Sequence, residues 1–252
     1  MIHCVVLGAL PLLSMACDQA PTEDTPTPIA QEQKVENGIT FNGITFNGIT
    51  FNGITFNGIT FNGMSPGGLA DPATNKVVEY LVGCALPQGD QVSYDINGQT
   101  YTFAGKLGLA PEWRDAACGT SCQRWVSACM MARVNSEGQA QTVSLRGAHV
   151  GLTVEPRELQ DFPMREATYY GNIFALQPAV YACLSPGQTK IKRVCGDSLE
   201  NCPLPVVGSC DDVCQGTGRF NSFRNCSPQT YAQGAPPASL FSEAITVFLP
   251  NE

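Results

Sequence analysis

The first pattern along the chain is an apolar run from Val5 to Leu13, broken only by Gly8, Ala9 and Pro11. It is too short to span a bilayer, which needs about 20 apolar residues, but it suits the core of a signal peptide. Residues 18–36 follow, rich in Pro, Thr and acids with little to bury, and read as an extended solvated linker. Asn-Gly-Ile-Thr-Phe then repeats five times from Asn37 to Phe61 and closes with Asn62-Gly63-Met64. Residues 65–75 form a second linker, and from residue 76 to 252 the pattern becomes that of a folded domain.

Within that domain, Val77–Val82 (VVEYLV) reads as a strand. Gln91–Phe103 reads as a β-hairpin: Val92, Tyr94 and Ile96 alternate before an Asn97-Gly98 turn, and Tyr101 and Phe103 follow it. The clearest helix covers Thr120–Asn135. Thr120 and Gln123 form a capping-box pair, and Gly138 lies just past the end. Cys122, Trp125, Val126, Cys129 and Met130 fall on one helical stripe, which directs a cysteine-bearing face to the core. QTVSLRG, GLTV, ATYYGNIF, AVYACL and AITVFL read as further strands, and Glu155-Pro156 opens a short helix that Pro163 stops. The sum is α+β, mostly β: a disulfide-stapled exported domain with one central helix, preceded by a pentapeptide repeat segment. The alternative architecture is a β-sandwich with the helix as a crossover.

A period of five restricts the repeat. On a strand, Ile39 and Ile44 would face opposite sides. On a helix, five residues turn the chain by about 500°, so equivalent positions form no stripe. What remains is a chain that bends every five residues, and in this residues 37–64 resemble the pentapeptide-repeat proteins, which coil into a square β-helix. Three readings stay open: an apolar spacer, a short solenoid docked on the following domain, or a segment for self-association. Uncharged, Pro-free Ile/Thr/Phe chain is suited to cross-β pairing.

The chain has 252 residues, is 43% hydrophobic and 14% charged, and carries a formal net charge of −8. This composition excludes bulk disorder and fits one domain of about 150–200 residues with appendages. The acidic balance argues against nucleic acid as a partner. Twelve Cys stand against two His. Without Cys4 and Cys17 ten remain: Cys84, Cys118, Cys122, Cys129, Cys183, Cys195, Cys202, Cys210, Cys214 and Cys226. An even number in an exported chain implies up to five disulfides. Cys122 and Cys129 lie about 10 Å apart along one helix and cannot pair with each other, so each is expected to reach a different element. The crowded run from Cys195 to Cys226 is expected to be cross-linked locally, with one bridge to the core. Two Cys-x-x-x-Cys pairs, Cys118/Cys122 and Cys210/Cys214, make a tetrahedral zinc site the competing reading; export favours disulfides. No metal or other cofactor is expected.

No catalytic constellation stands out. His149 is the only His after the leader, so a Ser or Cys nucleophile would have to use it. Gly196-Asp197-Ser198-Leu199 spells the signature of the Gly-Asp-Ser-Leu esterases, but no His follows it and Cys195 and Cys202 flank it. Ser93–Gly98 resembles the start of a calcium loop, and the hairpin turn accounts for the same residues. Glu112, Asp115, Asp161 and Glu166 are candidate carboxylates for hydrolysis, without a spacing that names a pair. Trp113, Arg114, Arg165, Glu166, Tyr169 and Tyr170 are the candidates for a shallow binding surface, since aromatics supply contact area and Arg a fork for anions.

Leu13-Ser14-Met15-Ala16-Cys17 resembles a bacterial lipobox, in which the Cys is lipidated and becomes the first mature residue. With the repeat and with Trp125–Cys129 and Tyr169–Phe174, it makes the chain similar to uncharacterised cysteine-rich bacterial lipoproteins carrying Asn-Gly-x-x-x repeats. The resemblance implies a signal peptide over 1–17, lipidation at Cys17 and a membrane anchor at the periplasm or cell surface; plain secretion is the alternative. The expected role is non-enzymatic: display of a binding domain toward an unidentified protein or glycan, with self-association through residues 37–64. The alternative is a secreted hydrolase of glycans or peptides acting through carboxylates or His149.

Overall fold

The computed structural model describes residues 34–37, 69–136, 140–229 and 240–251. The leader, Cys17, the linker before residue 34 and residues 38–68 of the repeat and second linker lie outside the described residues.

The first long element is a helix where the sequence pattern suggests a strand. α1 spans Pro72–Ala85. Asp71 caps it by accepting the Thr74 N–H at 2.9 Å, and Pro72 occupies the first turn, where its missing N–H costs nothing. Val77, Val78, Leu81, Val82 and Ala85 recur at helical spacing and are all buried. That burial outweighs the weak helix propensity of the three valines. Leu69 is already in the core, so the packed chain begins ahead of the helix.

β2 (Gln91–Ile96) and β3 (Gln99–Ala104) form the expected hairpin, with Asn97 and Gly98 both at positive φ, as a two-residue primed turn requires. It is a separate two-stranded sheet packed on α1 through Phe103.

α2 spans Thr120–Ala132 and is buried nearly all round from Trp125 onward, because the sheet covers one side and α1 the other. Its N-cap is Gly119, not Thr120, and no side chain caps it. Gln123 does not close a capping box; its Nε2 donates to the Cys118 carbonyl at 2.9 Å. With α1 beside α2, the domain has two principal helices rather than one.

The main sheet has six strands in the order β1-β4-β8-β5-β6-β7. They are β1 (Lys34–Asn37), β4 (Gln141–Gly147), β5 (Met164–Asn172), β6 (Ala179–Leu184), β7 (Val206–Ser209) and β8 (Ala244–Leu249). All neighbours are antiparallel except β6 and β7. The last strand inserts between β4 and β5, so the centre of the sheet is built from chain nearly 80 residues apart in register, as in the Thr168–Thr246 hydroxyl contact of 2.8 Å, 78 residues apart. β1 adds the end of the linker to the edge, with Asn37 opposite Gln141. GLTV is not a strand: Val150–Leu152 is a short helical turn, capped where His149 Nδ1 accepts the Gly151 N–H at 2.9 Å. The short helix α3 spans Pro156–Asp161.

The two faces of the sheet are covered differently. Val143, Leu145, Ala167, Tyr169, Ala182, Ile245 and Val247 point into the core shared with α1 and α2. That helical layer replaces the second sheet of a sandwich. Tyr170, Cys183 and Ala244 point the other way, into a smaller cluster with Cys210, Val213, Cys214, Phe223, Cys226 and Phe241. A single-turn helix, α5 (Cys210–Val213), punctuates the chain that supplies it, whereas another, α4 (Lys192–Cys195), turns Val194 into the large core.

All ten late cysteines are paired. Cys84–Cys129 joins α1 to α2, Cys183–Cys210 joins β6 to α5, and Cys195–Cys202 and Cys214–Cys226 close local loops. Cys122 does not reach another element; it pairs with Cys118, just ahead of its own helix. The zinc alternative is also taken apart, since Cys118 and Cys122 belong to the large core and Cys210 and Cys214 to the small one. Five disulfides are the chemistry of an oxidising, exported environment. No helix among the described residues is long and apolar enough to cross a membrane.

Candidate functional site

A groove of about 860 Å³ opens at one end of the main sheet. Its walls come from the start of β4, the end of α3, the start of β5, the chain after β8 and the loop from Gln188 to Arg193. Phe162, Met164 and Leu249 supply apolar surface, and Lys190 and Lys192 supply positive charge.

The floor is a buried ion pair. Arg193 Nη2 lies 2.7 Å from Glu166 Oε2, with both side chains at most 4% exposed. The same nitrogen is 3.2 Å from the Tyr169 hydroxyl, and Arg193 Nη1 donates to the Val134 carbonyl. The Arg193 carbonyl accepts the Ser136 N–H at 2.7 Å, which pins α4 to the chain after α2. Burial opposes the charge on Arg193, but the Glu166 carboxylate and the Tyr169 oxygen more than restore it, so its pKa is raised. Burial, reinforced by the Glu166 charge, pushes the Tyr169 hydroxyl well above its ordinary value, and Tyr169 stays protonated.

Behind the wall, Arg146 donates to the Phe162 carbonyl at 2.6 Å and to Ser144 Oγ at 2.9 Å while its guanidinium lies 3.7 Å from the Phe248 ring centre. Burial lowers its pKa to about 10, with Glu158 pulling it up, and it remains a cation at neutral pH. Arg146 therefore fixes the end of α3 against the sheet and with it one side of the groove.

The six residues proposed as a binding surface do not form one. Trp113, Tyr169 and Tyr170 are fully buried. Aromatics of this size are worth more inside than on a surface. Trp113 packs edge-on against Phe174, and Tyr170 donates its hydroxyl to the Ser227 carbonyl at 2.7 Å. Arg114 is exposed beside Asp90, 3.4 Å away. Arg165 lies over Phe223. Only Glu166 reaches the groove, because a bulge between Arg165 and Ala167 turns the two neighbours apart. The residues that define the groove with it, Arg193, Lys190 and Lys192, carry no local signal in the sequence: Glu166 and Arg193 are 27 residues apart.

The hydrolase candidates separate in the same way. Glu112 and Asp115 are exposed, away from the groove. Asp161 lines the groove and pairs with Arg157 at 3.6 Å. His149 caps a turn and packs against the Trp125 ring at 5.0 Å. Burial lowers its pKa, with the Glu112 charge pulling partly the other way. Ser198, in the esterase-like tetrapeptide, accepts the Glu200 N–H within a loop closed by Cys195–Cys202, and Asp197 pairs with Lys190 at 2.7 Å. The tetrapeptide is a turn.

The chain matches no known protein family, and no curated protein or solved structure matches it.

Proposed function

We propose that this chain is a non-enzymatic, lipid-anchored envelope protein that displays a disulfide-held binding domain on a tether. Cys17 carries the lipid, residues 18–33 form the tether that leads to β1, and the repeat after Asn37 mediates self-association, in line with the resemblance to cysteine-rich bacterial lipoproteins. The groove at the end of the sheet is the binding face. The observation that carries this reading is its floor: Glu166, Arg193 and Tyr169 hydrogen-bond to one another and are buried, which suits a rigid recognition surface rather than a group that must give and take protons. Apolar walls and a lysine rim fit a protein segment that offers an apolar side chain and a carboxylate.

Peptides selected on the oxidised full chain should carry that combination and lose binding to Met164→Lys and to the Lys190→Glu/Lys192→Glu pair. Selected peptides indifferent to both variants would remove the groove from the account. Labelling cells with an alkyne fatty acid should mark the wild type and not Cys17→Ser; equal labelling would remove the anchor.

One observation favours hydrolysis as a second reading: Asp161 and Glu166 line the same groove. Asp161→Asn would then abolish turnover of a glycan or peptide substrate, whereas under the binding reading no such turnover exists to lose.

A further inference from the structure

This acidic chain leaves three arginines without an acid, and the fold brings them together. Lys and Arg number 14 against 22 Asp and Glu, so carboxylates are in excess. Arg114, Arg124, Arg157 and Arg193 each form an ion pair, and the buried Arg133 and Arg146 feel the charges of Glu79 and Glu158. Arg165, Arg219 and Arg224 pair with no carboxylate among the described residues. The acids nearest the last two in sequence, Asp211 and Asp212 on α5, are exposed and form no ion pair with them.

A stapled hairpin holds the three in place. Cys214–Cys226 closes it, Thr217 bridges to Phe223, and the Gly218 N–H donates to the Ser222 carbonyl at 2.6 Å. The N–H of the buried Phe223 donates to Thr246 Oγ1 at 2.9 Å, which ties the hairpin to β8. At the tip, the Arg219 guanidinium lies 4.5 Å from the Phe220 ring centre. The Arg224 stem crosses Gly218, where a Cβ would meet it at 3.4 Å. Arg165 reaches the tip from β5: its Nη1 donates to the Asn221 carbonyl at 3.4 Å, and its guanidinium lies 5.0 Å from the Phe223 ring centre. Phe220 and Asn221 hold φ of 55° and 63°, a conformation that a side chain as bulky as Phe adopts only where its surroundings impose it. Arg219 and Arg224 are exposed, Arg165 is half-buried, and none of the three lines the groove. Gathering like charge on a strained turn gives the fold no stability, and it leaves the forks free for an anion from outside.

We propose that the hairpin tip and Arg165 form a second binding site, independent of the groove, for an anionic polysaccharide. Each guanidinium offers a planar fork to a carboxylate, sulfate or phosphate group, and three forks on one ridge suit a ligand that repeats its charge. Gln215, Thr217 and Asn221 are exposed beside them and supply amides and a hydroxyl for sugar hydroxyls. No large apolar side chain in this loop is exposed, so it offers no group to enter a bilayer. Because the disulfide and the backbone hydrogen bonds fix the tip, little ordering remains to be done on binding.

The test is binding of the oxidised full chain to dextran sulfate, polygalacturonate, neutral dextran and phosphatidylglycerol vesicles. The chain should bind at least one of the two anionic polysaccharides and not neutral dextran. Arg219→Gln/Arg224→Gln, at exposed positions, should weaken that binding at least about tenfold with thermal unfolding unchanged. Arg219→Lys/Arg224→Lys keeps the charge without the fork and should weaken it several-fold. Lys76→Gln/Lys106→Gln removes the same charge elsewhere on the surface and should leave binding within about twofold. The proposal is overturned by binding to neither anionic polysaccharide or by stronger binding to the vesicles. Equal losses in the two glutamine pairs, or full affinity after the Arg-to-Lys exchange, also overturn it, since either would reduce the site to unspecific charge.

Discussion

The two faces of the main sheet are stabilised by different means. On one, α1 and α2 bury the large core; Cys84–Cys129 links the two helices, and Cys118–Cys122 and Cys195–Cys202 close short loops beside it, none of the three reaching the sheet. On the other, chain with only single turns of helix covers Tyr170 and Cys183, and two bridges, Cys183–Cys210 and Cys214–Cys226, lie side by side with 3.8 Å between Cys183 and Cys214 sulfurs. Regular elements can hold a sheet face by packing alone, because each presents a continuous apolar stripe. Irregular chain has no such stripe, and covalent links take over where a small domain lacks core. The groove lies at the end of the sheet formed by the starts of β4 and β5 and the end of β8.

This contrast sets the order of expected effects. The largest should come from Glu166→Ala, which leaves the buried Arg193 cation without its partner; a loss of about 3–5 kcal/mol by denaturant unfolding is expected. Removal of Cys183–Cys210 by the paired alanine substitutions should cost about 3–4 kcal/mol in the chain-entropy account and should expose the loop face to protease before the helices. Removal of Cys118–Cys122, the shortest ring, should cost only about 2 kcal/mol. Equal losses for the two bridges would mean that ring size is not what distinguishes them. Tyr170→Phe deletes one buried hydrogen bond to the Ser227 carbonyl and should cost about 1 kcal/mol.

The smallest effect is a pH slope. His149 has a lowered pKa in the folded protein, so the unfolded chain binds the proton more readily. Its contribution is fully present above the ordinary value of 6.5 and is lost as pH falls below it toward the folded-state pKa. Stability measured over that window should decline less steeply in His149→Gln than in the wild type. A steeper decline in the variant would show that His149 gains rather than loses by protonation.

Much of the fold is legible in the chain because its signals are local. Asn97-Gly98 between alternating residues specifies the hairpin, and the cysteine-bearing stripe of Trp125, Val126 and Cys129 specifies α2. α1 is the instructive failure. Its β-branched residues point to a strand, while Asp71-Pro72 and the spacing of Val77, Val78, Leu81 and Val82 fit a capped helix. A buried helix can absorb valines that an exposed one would not, because packing, not propensity, decides. The candidate site is less legible for a different reason. Glu166 can be singled out as a charge among aromatics, but its partner Arg193 arrives through a chain path that no sequence pattern encodes, and β8 enters the sheet between β4 and β5 from the far end of the chain.

The account rests on ten oxidised sulfurs arranged as a frame for the groove. Digestion of the native protein without reductant, with free thiols blocked beforehand, followed by mass spectrometry of the linked peptides, tests this most directly. The expected pairs are Cys84–Cys129, Cys118–Cys122, Cys183–Cys210, Cys195–Cys202 and Cys214–Cys226. Blocked thiols at Cys183, Cys210, Cys214 and Cys226, or cross-pairs between the helix side and the loop side, would contradict it.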